Sequence, residues 1–107
     1  MITPADLEAR LTEAQWQSRV LAAFRLFGWR VFVDRVAYRS DPGWPDIFAI
    51  HAGQRRCIWV ELKSERGKLS PAQLDWGDAL ILAGQEWYCW KPSDFDRAVL
   101  VMRGARP

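Results

Sequence analysis

Asp46 follows Pro45 at the mouth of one apolar run, Asp46 to His51, and Glu61-Leu62-Lys63 closes a second, Arg56 to Lys63. Fourteen residues lie between Asp46 and Glu61, and Ala52-Gly53-Gln54-Arg55 is a connection of the length that joins hairpin strands. In an antiparallel hairpin the start of one strand lies beside the end of the next. Side chains two apart on a strand share a face. Asp46, Glu61 and Lys63 are therefore expected together at one sheet edge. Two carboxylates there can hold a hard divalent cation, which suits oxygen ligands. Such an ion can supply a nucleophilic water and neutralise charge during phosphodiester hydrolysis. Asp46 and Glu61 suit direct coordination, the Leu62 carbonyl could add a ligand, and Lys63 would orient the attacking water or stabilise phosphorane-like charge. A solvated lysine–carboxylate pair is the plainer reading of the same residues. Against it stand the apolar neighbours Phe48, Trp59, Val60 and Leu62, and the proline-fixed approach to Asp46.

The elements that must position these groups are marked by their caps. Thr12-Glu13-Ala14-Gln15 has the form of a capping box, opening a helix that runs to about Phe27 and stops at Gly28. At 100° per residue, Trp16, Val20, Leu21, Phe24 and Phe27 make one apolar sector, and Glu13 and Gln17 fall within it. Those two polar side chains are expected to face the protein, where burial demands partners. From there Glu13 could bind a metal through water or take a second metal, unless both groups simply fray at the helix start. Ser70-Pro71-Ala72-Gln73 opens another helix, with serine as N-cap, proline in the first turn and glutamine third; it ends near Gly84. Gln73 lies on that helix with Trp76, Gly77 and Leu80, on the side expected to face inward.

Trp29 to Val36 alternates as a first strand should, Tyr38 to Pro45 is rich in turn residues, and Ser64 to Leu69 is a charged loop. Trp87 to Trp90 should be a fourth strand, and Ser93 or Asp94 a cap for a last helix to about Met102. Helix, three strands, helix, strand and helix imply an α/β fold with a mixed sheet flanked by helices.

The chain has 107 residues, half of them hydrophobic, with seven tryptophans and a formal charge of +2. That is the size of a single domain, residues 1–107, with a sizeable core. Three of the fifteen basic residues are lysine (Lys63, Lys68, Lys91), leaving twelve arginines, which suit phosphate but also ordinary surface pairing. No apolar run is long enough to span a bilayer, and the charged N-terminus lacks the apolar stretch of a signal peptide. Cys57 and Cys89 sit in strand-like apolar runs without metal-type spacing, so buried free thiols are expected, as in a reducing cytoplasm.

The motif residues resemble the PD-(D/E)XK nuclease superfamily, with Pro45-Asp46 as its PD and Glu61-Leu62-Lys63 as its E-x-K. More of the chain is similar to the VRR-NUC branch in its stand-alone, phage-type form. Glu13 and Gln17 stand as that branch's first-helix glutamate and glutamine, and Gly43-Trp44-Pro45-Asp46 as its Gly-x-Pro-Asp. Gly67 and Gln73 match its glycine-containing loop and helix-opening glutamine. The likeness runs from Glu13 to Trp90 with no departure at the catalytic positions. It implies a restriction-endonuclease-like αβββαβ core and Mg²⁺-dependent DNA cleavage, with Mn²⁺ substituting and no organic cofactor. It also implies a homodimer cutting branched DNA such as Holliday junctions, in a bacterial or phage-infected host cytoplasm. Gln73 becomes an active-site partner of Asp46, Glu61, Lys63 and Glu13. Arg39, Arg66 and Lys68 are candidate phosphate contacts, Gln17 lies toward the DNA, and Trp44 could touch a base or sugar. Arg55 and Arg56 are weaker candidates at the distal end of the hairpin, solvated surface charge being the default for each arginine. The other tryptophans read as core, and His51 should face away from Asp46. Competing functions are a nuclease for flaps, ends or specific sequence, and a non-catalytic DNA-binding module.

Overall fold

The computed structural model describes residues 1–34 and 41–107. Its elements are α1 (Pro4–Ala9), α2 (Glu13–Leu26), β1 (Arg30–Val33), β2 (Ile47–His51), β3 (Arg56–Leu62), α3 (Pro71–Leu82), β4 (Glu86–Trp90) and α4 (Phe95–Met102), the last preceded by a 3-10 turn, Pro92–Asp94. The short α1 was not expected. Its signal is Thr3-Pro4-Ala5-Asp6, in which the Asp6 amide donates to Thr3 Oγ1 at 3.1 Å and the Thr3 amide to Asp6 Oδ2 at 2.8 Å. The expected box at α2 forms in the same reciprocal way, Gln15 N to Thr12 Oγ1 at 3.1 Å and Thr12 N to Gln15 Oε1 at 3.0 Å. The helix ends before Gly28, whose φ of +87° is reached without strain only by glycine.

The four strands form a mixed sheet in the order β1-β2-β3-β4. Both hairpin pairings are antiparallel, while β4 returns through α3 to lie parallel to β3. The last pairs of the central hairpin are Ile47 with Val60 and Phe48 with Trp59. Alternation then sorts the two faces. Ile47, Ala49, Ile58, Val60 and Trp90 pack with Trp16, Val20, Phe24, Trp29 and Met102 into the core, against α2 and α4. Val20, Phe24, Ile47, Ile58, Val60 and Met102 are completely buried, each side chain contributing roughly 1.5–3 kcal/mol. On the other face α3 lies over β4, with the Trp87 ring against Gly77, where an added Cβ would meet the ring at 2.8 Å. The radius of gyration, 13.8 Å, is close to the about 13 Å of a folded unit of roughly this length. Among the described residues no helix is long and apolar enough to cross a membrane.

Several expectations change. Only Trp16, Trp29 and Trp90 belong to the core, while Trp44, Trp59, Trp76 and Trp87 are half-buried on the α3 side of the sheet. Cys57 and Cys89 are free, as expected, but half-buried rather than buried. β1 ends at Val33, and the end of the expected strand at Val36 lies outside the described residues. Arg56 is no surface charge: it is 5% exposed and forks onto Glu86, with Nη2 to Oε2 at 2.6 Å and Nε to Oε1 at 2.9 Å. Its remaining donors reach the carbonyls of Val101 and Ala105 and Gln54 Oε1, so that it fastens the C-terminal end of α4 to the sheet.

Candidate active site

Asp41-Pro42-Gly43-Trp44 forms a tight turn closed by Trp44 N to Asp41 O at 3.0 Å, with proline second and Gly43 third at φ +84°. Those are the residues a type II turn requires. Gly43 is also required by contact: a Cβ there would lie 2.3 Å from the carbonyl carbon and oxygen of Ala72 and 2.7 Å from the Gln73 amide nitrogen. The turn is thereby seated against the first turn of α3. Pro45 is fully buried, and Asp46 emerges one residue before β2.

Continuing the ladder one step beyond Ile47 and Val60 sets Asp46 opposite Glu61. The Asp46 carboxylate continues the pairing itself, Oδ2 accepting from the Leu62 amide at 2.8 Å, while its carbonyl accepts from Asp34 N at 3.0 Å. Backbone on both sides thus holds Asp46.

Glu61 is 3% exposed. Its Oε1 accepts from Gln73 Nε2 at 2.8 Å, and its Oε2 is buried with no hydrogen-bond partner among the described residues. Burial above all, and then the charge and proximity of the Asp46 carboxyl, push its pKa up to about 8, with the Lys63 charge opposing them in part. A buried carboxylate beside a second carboxylate is costly unless something positive joins them. A proton held between the two groups is one solution and a cation is another.

Gln73 occupies its position because of the α3 capping box. Ser70 Oγ accepts from the Gln73 amide at 3.2 Å, and Gln73 Oε1 accepts from Ser70 N at 2.8 Å. With its oxygen committed to the cap, the carboxamide has only its NH₂ to offer Glu61, so that cap and site contact use opposite ends of one side chain.

A cleft of about 270 Å³ is lined by Glu13, Trp16, Gln17, Asp46, Glu61, Leu62, Lys63 and Gln73. Six of the expected site residues, Asp46, Glu61, Leu62, Lys63, Glu13 and Gln73, are brought together there, and Gln17 with them. The expected inward placement of Glu13 is corrected in degree: it lines the cleft but stays exposed, because it begins α2 at the mouth, whereas Gln17 one turn later is half-buried. Among the described residues, no three His, Cys, Asp or Glu side chains form a ready-made metal cage.

The candidate DNA contacts divide. Arg66 and Lys68 are exposed on the loop after Lys63, lining neither cavity beside the carboxylates. That loop is fixed by Gly67 N to Ser64 O at 3.0 Å and by Glu65 Oε2, which accepts from Ser93 N at 2.9 Å. Arg39 lies outside the described residues. Trp44 lines a second cavity, about 290 Å³, which shares Asp46, Glu61 and Gln73 with the first and adds Asp34, Asp41, Pro42 and Gly43. Sequence reasoning did not assign Asp34 or Asp41 to the site, although the Asp41-Pro42-Gly43 turn signal pointed to a chain reversal there. His51 is at the far end of β2 and engaged at both ring nitrogens. Nδ1 accepts from Gln54 N at 3.0 Å, leaving Nε2 to donate to the Phe27 carbonyl at 3.1 Å.

Comparison with known proteins gives no match, whether to a family model, a curated protein or a solved structure.

Proposed function

We propose that this chain is a divalent-metal-dependent DNA endonuclease of restriction-endonuclease-like αβββαβ type, related to the stand-alone VRR-NUC nucleases. The observation that carries the reading is the Asp46–Glu61 pair: two adjoining carboxyl groups, one with a buried oxygen that no group among the described residues satisfies. Buried polar atoms are ordinarily satisfied, and perturbed carboxyls in clefts mark functional sites more often than structural ones. An all-oxygen donor set fits a hard ion such as Mg²⁺ or Mn²⁺. Asp46 and Glu61 would hold it, with the Leu62 carbonyl and water as further ligands and Glu13 acting through water. The ion would supply Lewis acidity toward a phosphodiester. Lys63 lines the same cleft and would orient the water and offset phosphoryl charge. Gln73 would keep Glu61 in position. Arg66 and Lys68 would take flanking phosphates, while Gln17 and Trp44 would border the nucleotide path.

One small domain carries one such site. Resolving a junction takes two nicks, so a homodimer with symmetric sites is proposed. The decisive experiment is cleavage of a four-way junction, a flap, a splayed arm and a linear duplex in Mg²⁺ and in Mn²⁺, with Asp46→Ala as control. Junction cleavage by two protomers per DNA, lost in folded Asp46→Ala, is the expected result. Full activity in that variant would end the proposal. Equal cutting of linear DNA would replace junction selectivity with a general nuclease. Retained DNA binding with no cleavage would leave a non-catalytic module.

A further inference from the structure

The end of the sheet opposite Asp46 and Glu61 collects arginine. α2 finishes there, the β2–β3 turn lies there and the chain leaves α4 there. Hydrogen bonds tie these ends together: His51 Nε2 to the Phe27 carbonyl, and Trp29 Nε1 and Gln54 Nε2 both to the Met102 carbonyl. The segments that meet, residues 25–30, 51–57, 84–87 and 101–107, carry Arg25, Arg30, Arg55, Arg56, Arg103 and Arg106 against one carboxylate side chain, Glu86. Glu86 is spent on Arg56 and, at 3.4 Å, on Arg106.

Arg25 and Arg103 stand at helix C-termini, where the helix dipole favours a cation, so fold stability accounts for them. Arg30 and Arg55 have no such account. Both are exposed, and neither has an ion-pair partner among the described residues. Arg55 is also held at φ +53°, the one positive φ of a non-glycine residue among them. Glycine takes that conformation at less cost, and a strained position that keeps a long side chain points to a use for the side chain. The surface between the two is concave. A cavity of about 310 Å³ is lined by Arg30 and one of about 240 Å³ by Arg55, with Ile50, His51 and Ala52 common to both. A hollow lined by one sign of charge focuses its potential on an approaching anion.

From these observations we propose that Arg30 and Arg55 form a second phosphate-contact surface, which grips the duplex flanking the cut. It rests on the nuclease reading of Asp46 and Glu61 and adds a partner requirement, a duplex arm that spans both ends of the sheet. Arg30 lies on the same sheet face as Glu61, since Val31 and Val33 pack on the core. β3 runs from Arg56 to Leu62, about 20 Å at roughly 3.3 Å per residue. With about 3.4 Å of rise per base pair, the grip falls on the order of six base pairs from the cut. A DNA backbone fits better than an acidic peptide or a lipid surface, because every cation here is arginine, whose planar fork matches phosphate oxygens.

The test is equilibrium binding of a fluorescent four-way junction, with arms longer than one helical turn, in Ca²⁺ and across a KCl series. The variant is Arg30→Gln with Arg55→Gly. Glycine relieves the left-handed position, so the fold is not put at risk, and a melting curve checks it. The variant should bind roughly tenfold more weakly at about 0.1 M KCl, with a log–log salt slope shallower by roughly 1.8, about 0.9 for each phosphate released. A junction with hairpin-capped arms of half a turn should bind both proteins alike. Unchanged affinity and slope in the folded variant would overturn the surface, as would an equal loss on the short-armed junction. Wild-type binding to polyglutamate or to phosphatidylglycerol vesicles as tight as to the long-armed junction would overturn the DNA assignment. Cleavage assayed separately keeps the two claims apart. A wild-type protein that cuts while the variant binds normally loses only the surface; one that never cuts while the variant loses binding loses only the nuclease reading.

Discussion

The strand β3 carries a buried charged residue at each end, and their surroundings differ. Arg56 has its guanidinium shared among a carboxylate, a carboxamide and two backbone carbonyls. Its partner Glu86 is pushed up by burial, but hydrogen bonds from Arg56 and Tyr88 and the Arg56 and Arg106 charges outweigh that and hold it below the usual carboxylate value. Glu61, five residues along, has one oxygen satisfied and one orphaned, and its pKa is pushed up to about 8. A network built for stability closes on itself; a site built for a ligand leaves a vacancy in its hydrogen bonding. The two ends of one strand therefore set a closed network of buried charge against an open one, which is the contrast the proposed metal site requires.

The sharpest way to break the comparison is at the closed end. Arg56→Ala leaves Glu86 with only Tyr88 and Arg106 and frees the Val101 and Ala105 carbonyls, and should cost about 3 kcal/mol in urea denaturation. A loss below about 1 kcal/mol would mean that this network is peripheral.

The open end should respond with the opposite sign. Glu61 titrates near 8 in the fold against an ordinary 4.5. The folded state is thus favoured in full below about 4.5, and that advantage is lost as pH rises to 8 and through it. Wild-type stability should fall over this window, whereas Glu61→Gln should show a much flatter profile and no Mg²⁺-dependent cleavage. An unchanged pH profile in the variant would contradict the assignment. Glu86, held low, contributes in the other direction, its share being lost only as pH falls below the ordinary carboxylate range.

Smaller effects sharpen the contrast. Gln73→Leu removes the hydrogen-bond donor to Glu61 Oε1 and one half of the α3 cap, for a cost of about 1–3 kcal/mol. It should also move the Glu61 titration, followed by carboxyl NMR, further upward; a downward movement would argue against the contact. Tyr88→Phe deletes the hydroxyl that donates to Glu86 Oε2 at 2.9 Å and should cost only about 0.5–1.5 kcal/mol. The Tyr88 phenol, pushed up to about 12 by burial first and by Glu86 second, stays protonated across the working range, so this loss should not vary between pH 6 and 9.

What was legible in the sequence is local or follows from topology. Both expected capping boxes form, because their partners are three residues apart. Asp46 meets Glu61 because an antiparallel hairpin leaves few alternatives. The environment of Arg56 was illegible: its partners are Glu86, thirty residues on, and carbonyls of the C-terminal segment, and no spacing rule reports such a meeting. Trp59, Trp76 and Trp87 read as core in the sequence because indole area favours burial. They gather instead on the sheet face that α3 covers only in part, where Phe32 remains 64% exposed. Gln73 shows an intermediate case, its cap readable from Ser70 and its hold on Glu61 readable only through resemblance.

The absent side chain at Gly43 has a mechanical consequence. With backbone pressed on backbone at Ala72 and Gln73, the turn bearing Asp46 and the helix bearing Gln73 behave as two jaws of a vice whose spacer is one glycine thick. α3 is seated in turn by Gly77 on the Trp87 ring. The gauge of the opening between the carboxylates is therefore machined at two close contacts of glycine, and a methyl group at either would act as a shim.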